Sequence, residues 1–182
     1  MFLSEKETKY LKLRGIIHLR ENAMSADNQQ GRVQLEPWYI SGFVDGEGSF
    51  HIALYQDSGV RSGWRVIPEF HVSQRESSKH VLEEVKNFFQ CGNLKPNHRT
   101  NPKDVTYVYV VRNREDLLHK IVPFFFQYPL RTEKSKDFLL FVEVMKRMEN
   151  NDHITKEGVK EIINLAYQMN GQGRYRRKLH QV

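Results

Sequence analysis

The stretch from Trp64 to Gln74 alternates so regularly that it fixes a strand and both of its faces. Trp64, Val66, Phe70 and Val72 fall on one side, and Arg65, Glu69, His71, Ser73 and, just beyond, Arg75 fall on the other. That is the period of a half-buried strand. Pro68 cannot donate to a ladder, so a bulge or a sheet edge is expected there. Ser49 to Gln56 carries the same period, with Phe50, Ile52 and Leu54 opposed to Ser49, His51 and Tyr55. The loop Asp57 to Gly63, which holds Gly59 and Gly63, joins the two strands into a hairpin.

Helical periods surround this hairpin. Pro37 suits the first turn of a helix running to Glu47, where Gly48 ends it. After the hairpin, Glu76 to Gln90 places Val81, Leu82, Val85, Phe88 and Phe89 at helical spacing. A second hairpin follows: a short strand near Gly92 to Asn97, a tip HRTNPKD, and a strand from Val105 to Arg112. In that last strand Tyr107, Tyr109 and Val111 oppose Thr106, Val108, Val110 and Arg112. Helices are expected over Arg114 to Phe126, Glu133 to Met148 and Lys156 to Met169. The Phe124, Phe125, Phe126 and Tyr128 cluster belongs to the core. The order implies an α+β fold, one antiparallel sheet with helices on a single face. Its other face is open to solvent.

With 182 residues and 39% hydrophobic content, the chain can build one compact core. The most apolar run, Ile121 to Phe126, is far short of the roughly 20 residues that cross a bilayer, so no membrane role is expected. MFLSEKETKY carries acids and does not read as a signal peptide, and the single Cys91 excludes internal disulfides and zinc sites built on paired cysteines. A reducing, intracellular compartment follows. The net charge is +6. Arg174, Arg176, Arg177 and Lys178 crowd the C-terminal end, and Lys95, Arg99, Lys103, Arg112 and Arg114 stand against Asp104. Clustered cations are the footprint of a nucleic-acid binder, and equally of a solvated face with a charged tail. The open sheet face tips the balance: Arg65, His71, Arg75, Lys95, Asn97, Thr106 and Arg112 are basic or hydrogen-bonding, as a ribbon that reads a major groove requires.

Ile40 to Phe50, ISGFVDGEGSF, breaks local rules. Gly42 and Gly46 weaken a helix interior by about 1 kcal/mol each relative to alanine, and Gly48 follows at its end. Asp45 and Glu47 face the negative end of the helix dipole. Such violations mark candidate functional sites, although DGEG alone also fits a turn. Gly42 and Gly46 lie on one helical face, which lets another backbone approach closely. A carboxylate at a helix C-terminus becomes favourable once it binds a divalent cation, and two copies packed along their glycines would bring two such carboxylates together. Asp45 lies about 200° around the helix from Glu47, so the two cannot share a ligand; a capping or interface role suits Asp45.

ISGFVDGEGSF resembles the LAGLIDADG motif, Ile40 to Gly48 filling its nine positions, with Ser41 small where alanine is usual and Glu47 acidic where the family has Asp or Glu. PEFHVSQ (Pro68 to Gln74) is similar to the end of the family's second strand, and YPLRTEKSKDF (Tyr128 to Phe138) to a recurrent family segment. The element order resembles the αββαββα core of LAGLIDADG homing endonucleases. One copy of the motif implies a homodimer whose motif helices, through Gly42, Phe43, Asp45 and Gly46, form the two-fold interface.

By the same resemblance, Glu47 and the Gly48 carbonyl hold Mg²⁺, about two or three ions shared across the dimer. Gln74 helps order solvent, and Lys134 supplies the basic group at the phosphate, with Arg131 and Lys136 competing for that role. Some relatives place an arginine shortly after the glutamine; here stand Ser77, Ser78 and then Lys79. The implied function is double-strand cleavage of a long, near-palindromic DNA site in a bacterial cytoplasm or an organelle. Alternatives on the same fold are an RNA-binding maturase of the encoding intron and a non-catalytic DNA-binding regulator. His51, Arg65, Glu69, His71, Ser73, Arg75, Lys95, Asn97, Arg99, Thr106 and Arg112 are the expected DNA contacts. Residues 1–35 form an N-terminal extension and linker, 36–170 the endonuclease domain, and 171–182 a basic tail that either follows flanking phosphates or stays solvated.

Overall fold

The computed structural model describes residues 35–97 and 105–172. Helix α1 (Pro37–Glu47) passes without a loop into β1 (Gly48–Gln56). The junction needs glycine for space: a Cβ on Gly48 would sit 2.6 Å from Val44 Cγ1 and 2.8 Å from the Val44 carbonyl oxygen. β1 pairs antiparallel with β2 (Trp64–Arg75), Gly48 opposite Val72 and Gln56 opposite Trp64. A 3₁₀ turn at Glu76–Ser78 leads into α2 (Lys79–Phe89), which stops at left-handed Gln90. Strands β3 (Asn93–Pro96) and β4 (Thr106–Val111) complete a four-stranded antiparallel sheet in the order β1-β2-β4-β3. This is the expected α+β class and element order.

Pro68 sits in an unbroken β1–β2 register opposite Ile52, so there is no bulge. The β2–β4 ladder begins only at Phe70. Pro68 therefore occupies a stretch of β2 paired on one side alone, the edge-like setting in which a missing N–H costs least.

After β4 the chain forms α3 (Arg114–Asp116), a π-helical turn (Leu117–Ile121) and α4 (Val122–Gln127) in place of one uniform helix. Pro123 explains the break, because its ring has no N–H for the carbonyl four residues back and would clash with it. Widening the preceding turn, so that Val122 N–H reaches Leu117, relieves that conflict. Helix α5 (Lys134–Glu149), a 3₁₀ turn (Asp152–Ile154) and α6 (Lys156–Gln172) follow.

The core lies between these helices and one face of the sheet. Phe50 is fully buried, its ring 5.1 to 5.4 Å from those of Phe70, Phe125, Phe138 and Phe141. Phe124 and Phe125 are buried too, as expected of a core cluster. Residues directly opposite in an antiparallel ladder share a face. The open face therefore carries Ser49, His51, Ala53 and Tyr55 of β1, Arg65, Ile67, Glu69, His71, Ser73 and Arg75 of β2, Thr106, Val108 and Val110 of β4, and Asn93 and Lys95 of β3. No helix among the described residues is long and apolar enough to cross a membrane. Nearly all of the expected N-terminal extension and linker, together with Arg99 of the expected hairpin tip and the basic cluster Arg174 to Lys178, lies outside the described residues.

Candidate functional site

Helix α1 carries its two interior glycines on an exposed face, and a Cβ built on Gly42 or Gly46 would meet nothing within 4 Å among the described residues. No packing among the described residues requires either glycine. Trp38 and Tyr39 are 53% and 49% exposed, and Tyr39 stacks on half-buried Phe43 with ring centroids 6.0 Å apart. A hollow of about 250 Å³ lies beside them, lined by Trp38, Ser41, Gly42, Asp45, Pro129 and Arg131. Ser41, the departure from alanine in the motif, is buried and donates to the Tyr128 carbonyl at 2.8 Å. That bond ties α1 to the segment before α5.

Asp45 makes the same connection more strongly. Its carboxylate accepts from the backbone N–H groups of Arg131 (2.8 Å) and Thr132 (3.1 Å) and from the Thr132 hydroxyl (2.6 Å). Burial pushes its pKa up, but these hydrogen bonds and the Lys134 charge outweigh that and hold it below the ordinary 3.8. Asp45 thus caps the turn that launches α5. Asp45→Ala should cost about 1 kcal/mol of stability, as loss of a cap does. A depressed pKa contributes stability above the unfolded value that is lost as pH falls through the folded one. The difference in thermal midpoint between wild type and variant is therefore expected to be full at neutral pH and to shrink below about pH 3.8.

Glu47 behaves differently. It is exposed at the last residue of α1, where no side chain of the helix offsets the dipole. The counter-charge comes from Lys134, which is at the first turn of α5 and donates to the Gly48 carbonyl and, at 3.5 Å, to that of Gly46. Burial holds the Lys134 ammonium below the ordinary lysine value, against the pull of Asp45, Asp137 and Glu47. Of the three basic candidates, Lys134 alone meets this helix end: Lys136 pairs with Glu133 at 2.8 Å, and the Arg131 guanidinium lies 5.8 Å from the Trp38 ring centroid. Lys79 pairs with Glu83 and lies over Tyr107. Gln74 is half-buried two residues beyond Val72, which faces Gly48, so β2 brings it to the sheet end where α1 delivers Glu47.

Among the described residues no three His, Cys, Asp or Glu side chains gather as a metal site. One chain offers the Glu47 carboxylate and the Gly48 carbonyl. These are hard oxygen donors, and Mg²⁺ is commonly held by one or two carboxylates plus substrate phosphates and waters. The Lys134 ammonium already on Gly48 shows that this helix end favours a cation. The donor set fits Mg²⁺ if a second copy and DNA complete it.

On the open face Arg65, Arg75 and Arg112 are exposed and Lys95 is half-buried, against a single acid in the strands, Glu69. Arg65 pairs with Asp57 at 2.6 Å, a solvent-exposed bond worth little. His51, Ser73 and Thr106 are half-buried and Asn97 exposed. Beneath them Ala53, Val108 and Val110 form an apolar floor, each at most 6% exposed. Glu69 corrects the sequence expectation. It is 4% exposed, with its carboxylate held by His71 at 2.8 Å and by Arg112, so it is not presented to a base edge. Tyr55, 55% exposed opposite Arg65, and Asn93, opposite Val110, were not among the expected contacts, although strand alternation already put Tyr55 on this face.

The family profile described as LAGLIDADG endonuclease matches residues 40–145, more than half of the chain. Probable intron-encoded endonuclease 3 of Neurospora crassa is 32% identical over 138 residues, which are 76% of this chain and 25% of that protein. The chain thus spans about a quarter of that relative's length. Among solved structures, the homing endonuclease I-TnaI superposes with a TM-score of 0.71 at 36% identity, covering 78% of this chain and 94% of that one. Meganuclease I-SmaMI bound to uncleaveable DNA gives 0.71 at 34% identity, over 76% of this chain and 45% of that one. The motif helix, the sheet it feeds and these similarities together make the chain a member of the LAGLIDADG endonuclease family.

Proposed function

We propose that this chain is a homodimeric, Mg²⁺-dependent homing endonuclease that cuts both strands of a long, near-palindromic DNA site. The observation that carries the reading is the Lys134 ammonium on the Gly48 carbonyl beside Glu47, with Gln74 on β2 at the same end of a sheet whose open face is cationic. Relatives named as endonucleases and a structural neighbour held on DNA support it. Two copies packed along Gly42 and Gly46 would place two such sheet ends side by side, one for each strand.

Glu47 and the Gly48 carbonyl would hold the metal. Bound there, Mg²⁺ would supply acidity to a water and neutralise charge on the phosphate. Hydrolysis would form one P–O bond to a water oxygen and break the P–O bond to the leaving sugar oxygen, which takes up a proton. The Lys134 ammonium, anchored at the helix end, is placed to balance negative charge on the phosphate, and the Gln74 amide to orient solvent by hydrogen bonds. Burial of Lys134 makes its charge more effective than one in bulk water.

The test is incubation with duplex DNA carrying the uninterrupted insertion locus, with and without Mg²⁺. Cleavage only with the metal is expected; binding without cleavage under both conditions would make the chain a regulator. Coverage follows from geometry. The 12 residues of β2 extend about 40 Å at about 3.3 Å each. At about 3.4 Å per base pair that is about 12 base pairs, so a dimer should protect about 20 to 24. A footprint of only about 8 base pairs would remove the two-sheet arrangement.

A further inference from the structure

Glu69 is the one buried charged side chain among the described residues, and it sits in the middle of the face that otherwise carries cations. A carboxylate there opposes every phosphate that approaches, so simple DNA affinity would be better served by a neutral residue. Its surroundings show what it does instead. His71, two residues along β2 on the same face, reaches it with Nε2 at 2.8 Å. Arg112, one pair beyond the β2–β4 register of Phe70 with Val111, reaches it with Nε. His51 stands directly across on β1, its ring centroid 6.4 Å from that of His71. Burial works against ionisation of Glu69, and the His71 and Arg112 contacts overcome it and keep the carboxylate charged.

The geometry of the two pairs leaves recognition groups free. With Nε engaged, Arg112 keeps the edge formed by its two terminal nitrogens, the edge that binds guanine in a bidentate manner. His71 keeps Nδ1. The Arg112 side chain is 51% exposed and that of His71 30%, so both are anchored below and accessible above. A long side chain fixed before binding loses less conformational freedom on binding.

We propose that Glu69 is a positioning residue for sequence discrimination: it fixes Arg112 and His71 for base reading while its own charge weakens indiscriminate attachment to phosphates. This rests on the reading that the open face meets DNA. Glu69→Gln keeps the shape and removes the charge, taking the formal net charge from +6 to +7. The probes are a duplex recovered by wild-type protein from a randomised library and an unrelated duplex of the same length. The variant should bind the unrelated duplex more tightly, and its preference for the selected duplex should fall about tenfold or more. In an Arg112→Ala, His71→Ala background the same substitution should leave the remaining preference unchanged, because Glu69 acts through those two residues.

A purely structural role would weaken both duplexes together in step with lost folding, seen by circular dichroism; that result, or an unchanged preference, overturns the proposal. If wild type selects no duplex, or Arg112→Ala alters binding to neither, the DNA-face reading fails and takes this one with it. If Arg112→Ala weakens selected-duplex binding while Glu69→Gln leaves the preference intact, this proposal alone falls.

Discussion

Glu47→Gln is expected to lower the cleavage rate about a thousandfold or more while leaving DNA affinity close to wild type. The substitution preserves size and removes the carboxylate at the end of α1 that, among the described residues, is not already committed to a hydrogen bond, since Asp45 caps the turn before α5. Charge stabilisation by a bound divalent ion is worth several kcal/mol at the transition state, and about 4 kcal/mol corresponds to about a thousandfold in rate. On the proposed reading affinity rests instead on the cations of the sheet face, which the change does not touch. Stability supplies an independent check. An exposed acid at a helix C-terminus is unfavourable by some tenths of a kcal/mol, so the glutamine variant should be as stable as wild type or slightly more so. Single-turnover cleavage, anisotropy with the selected duplex and thermal melting on the same preparation separate these terms. Cutting at near the wild-type rate would move the metal ligand away from Glu47. Parallel loss of binding and melting temperature would make Glu47 structural.

The fold was readable because its information is local and periodic. Alternation in Ser49 to Gln56 and Trp64 to Gln74 set both strands and faces, and Gly48 set the junction between helix and sheet. What was not readable depends on which groups meet across the chain. Pro68 announced an edge or a bulge, and only the late start of the β2–β4 ladder decides for the edge. Pro123 sits inside an apolar helical run, and its period gave no sign of the π-helical turn that accommodates it. Alternation placed Glu69 on the open face correctly, yet the partners that bury it, His71 nearby and Arg112 just past the end of β4 and more than forty residues away, exist only once the strands pair.

The site divides in the same way. The motif singled out Asp45 and Glu47, and helical geometry alone separated them, since carboxylates about 200° apart cannot act as one group. The partner of Asp45 could not be read, because the backbone of Arg131 and Thr132 carries no side-chain signature. The resemblance already favoured Lys134 over Arg131 and Lys136, but its seat on the Gly48 carbonyl could not be read, because it depends on the approach of α5 to the end of α1, a contact between residues 86 positions apart.

Gly42→Leu should move stability and assembly in opposite directions. Among the described residues a Cβ at Gly42 meets nothing within 4 Å, so the larger side chain enters open space. Replacing a helical glycine by leucine then gains somewhat under about 1 kcal/mol of helix propensity. For a chain of this size that is about 2 °C or slightly more in melting temperature, measured at a dilution where wild type and variant are both monomeric. In a dimer packed along Gly42 and Gly46 the same side chain is inserted twice, once from each copy, where two backbones meet. Overpacking of that kind costs about 1–3 kcal/mol per site, or about 4 kcal/mol for the pair, and weakens association about a thousandfold. Sedimentation over a concentration series reads the association, and melting at low concentration reads the fold. Two interior glycines that no contact among the described residues requires are a standing cost to α1, and close approach by a second helix is a physical reason for a sequence to keep them. An unaltered dimer with a raised melting point would show that α1 is not the interface. A monomer with a raised melting point would show that the glycines serve assembly and nothing inside the chain.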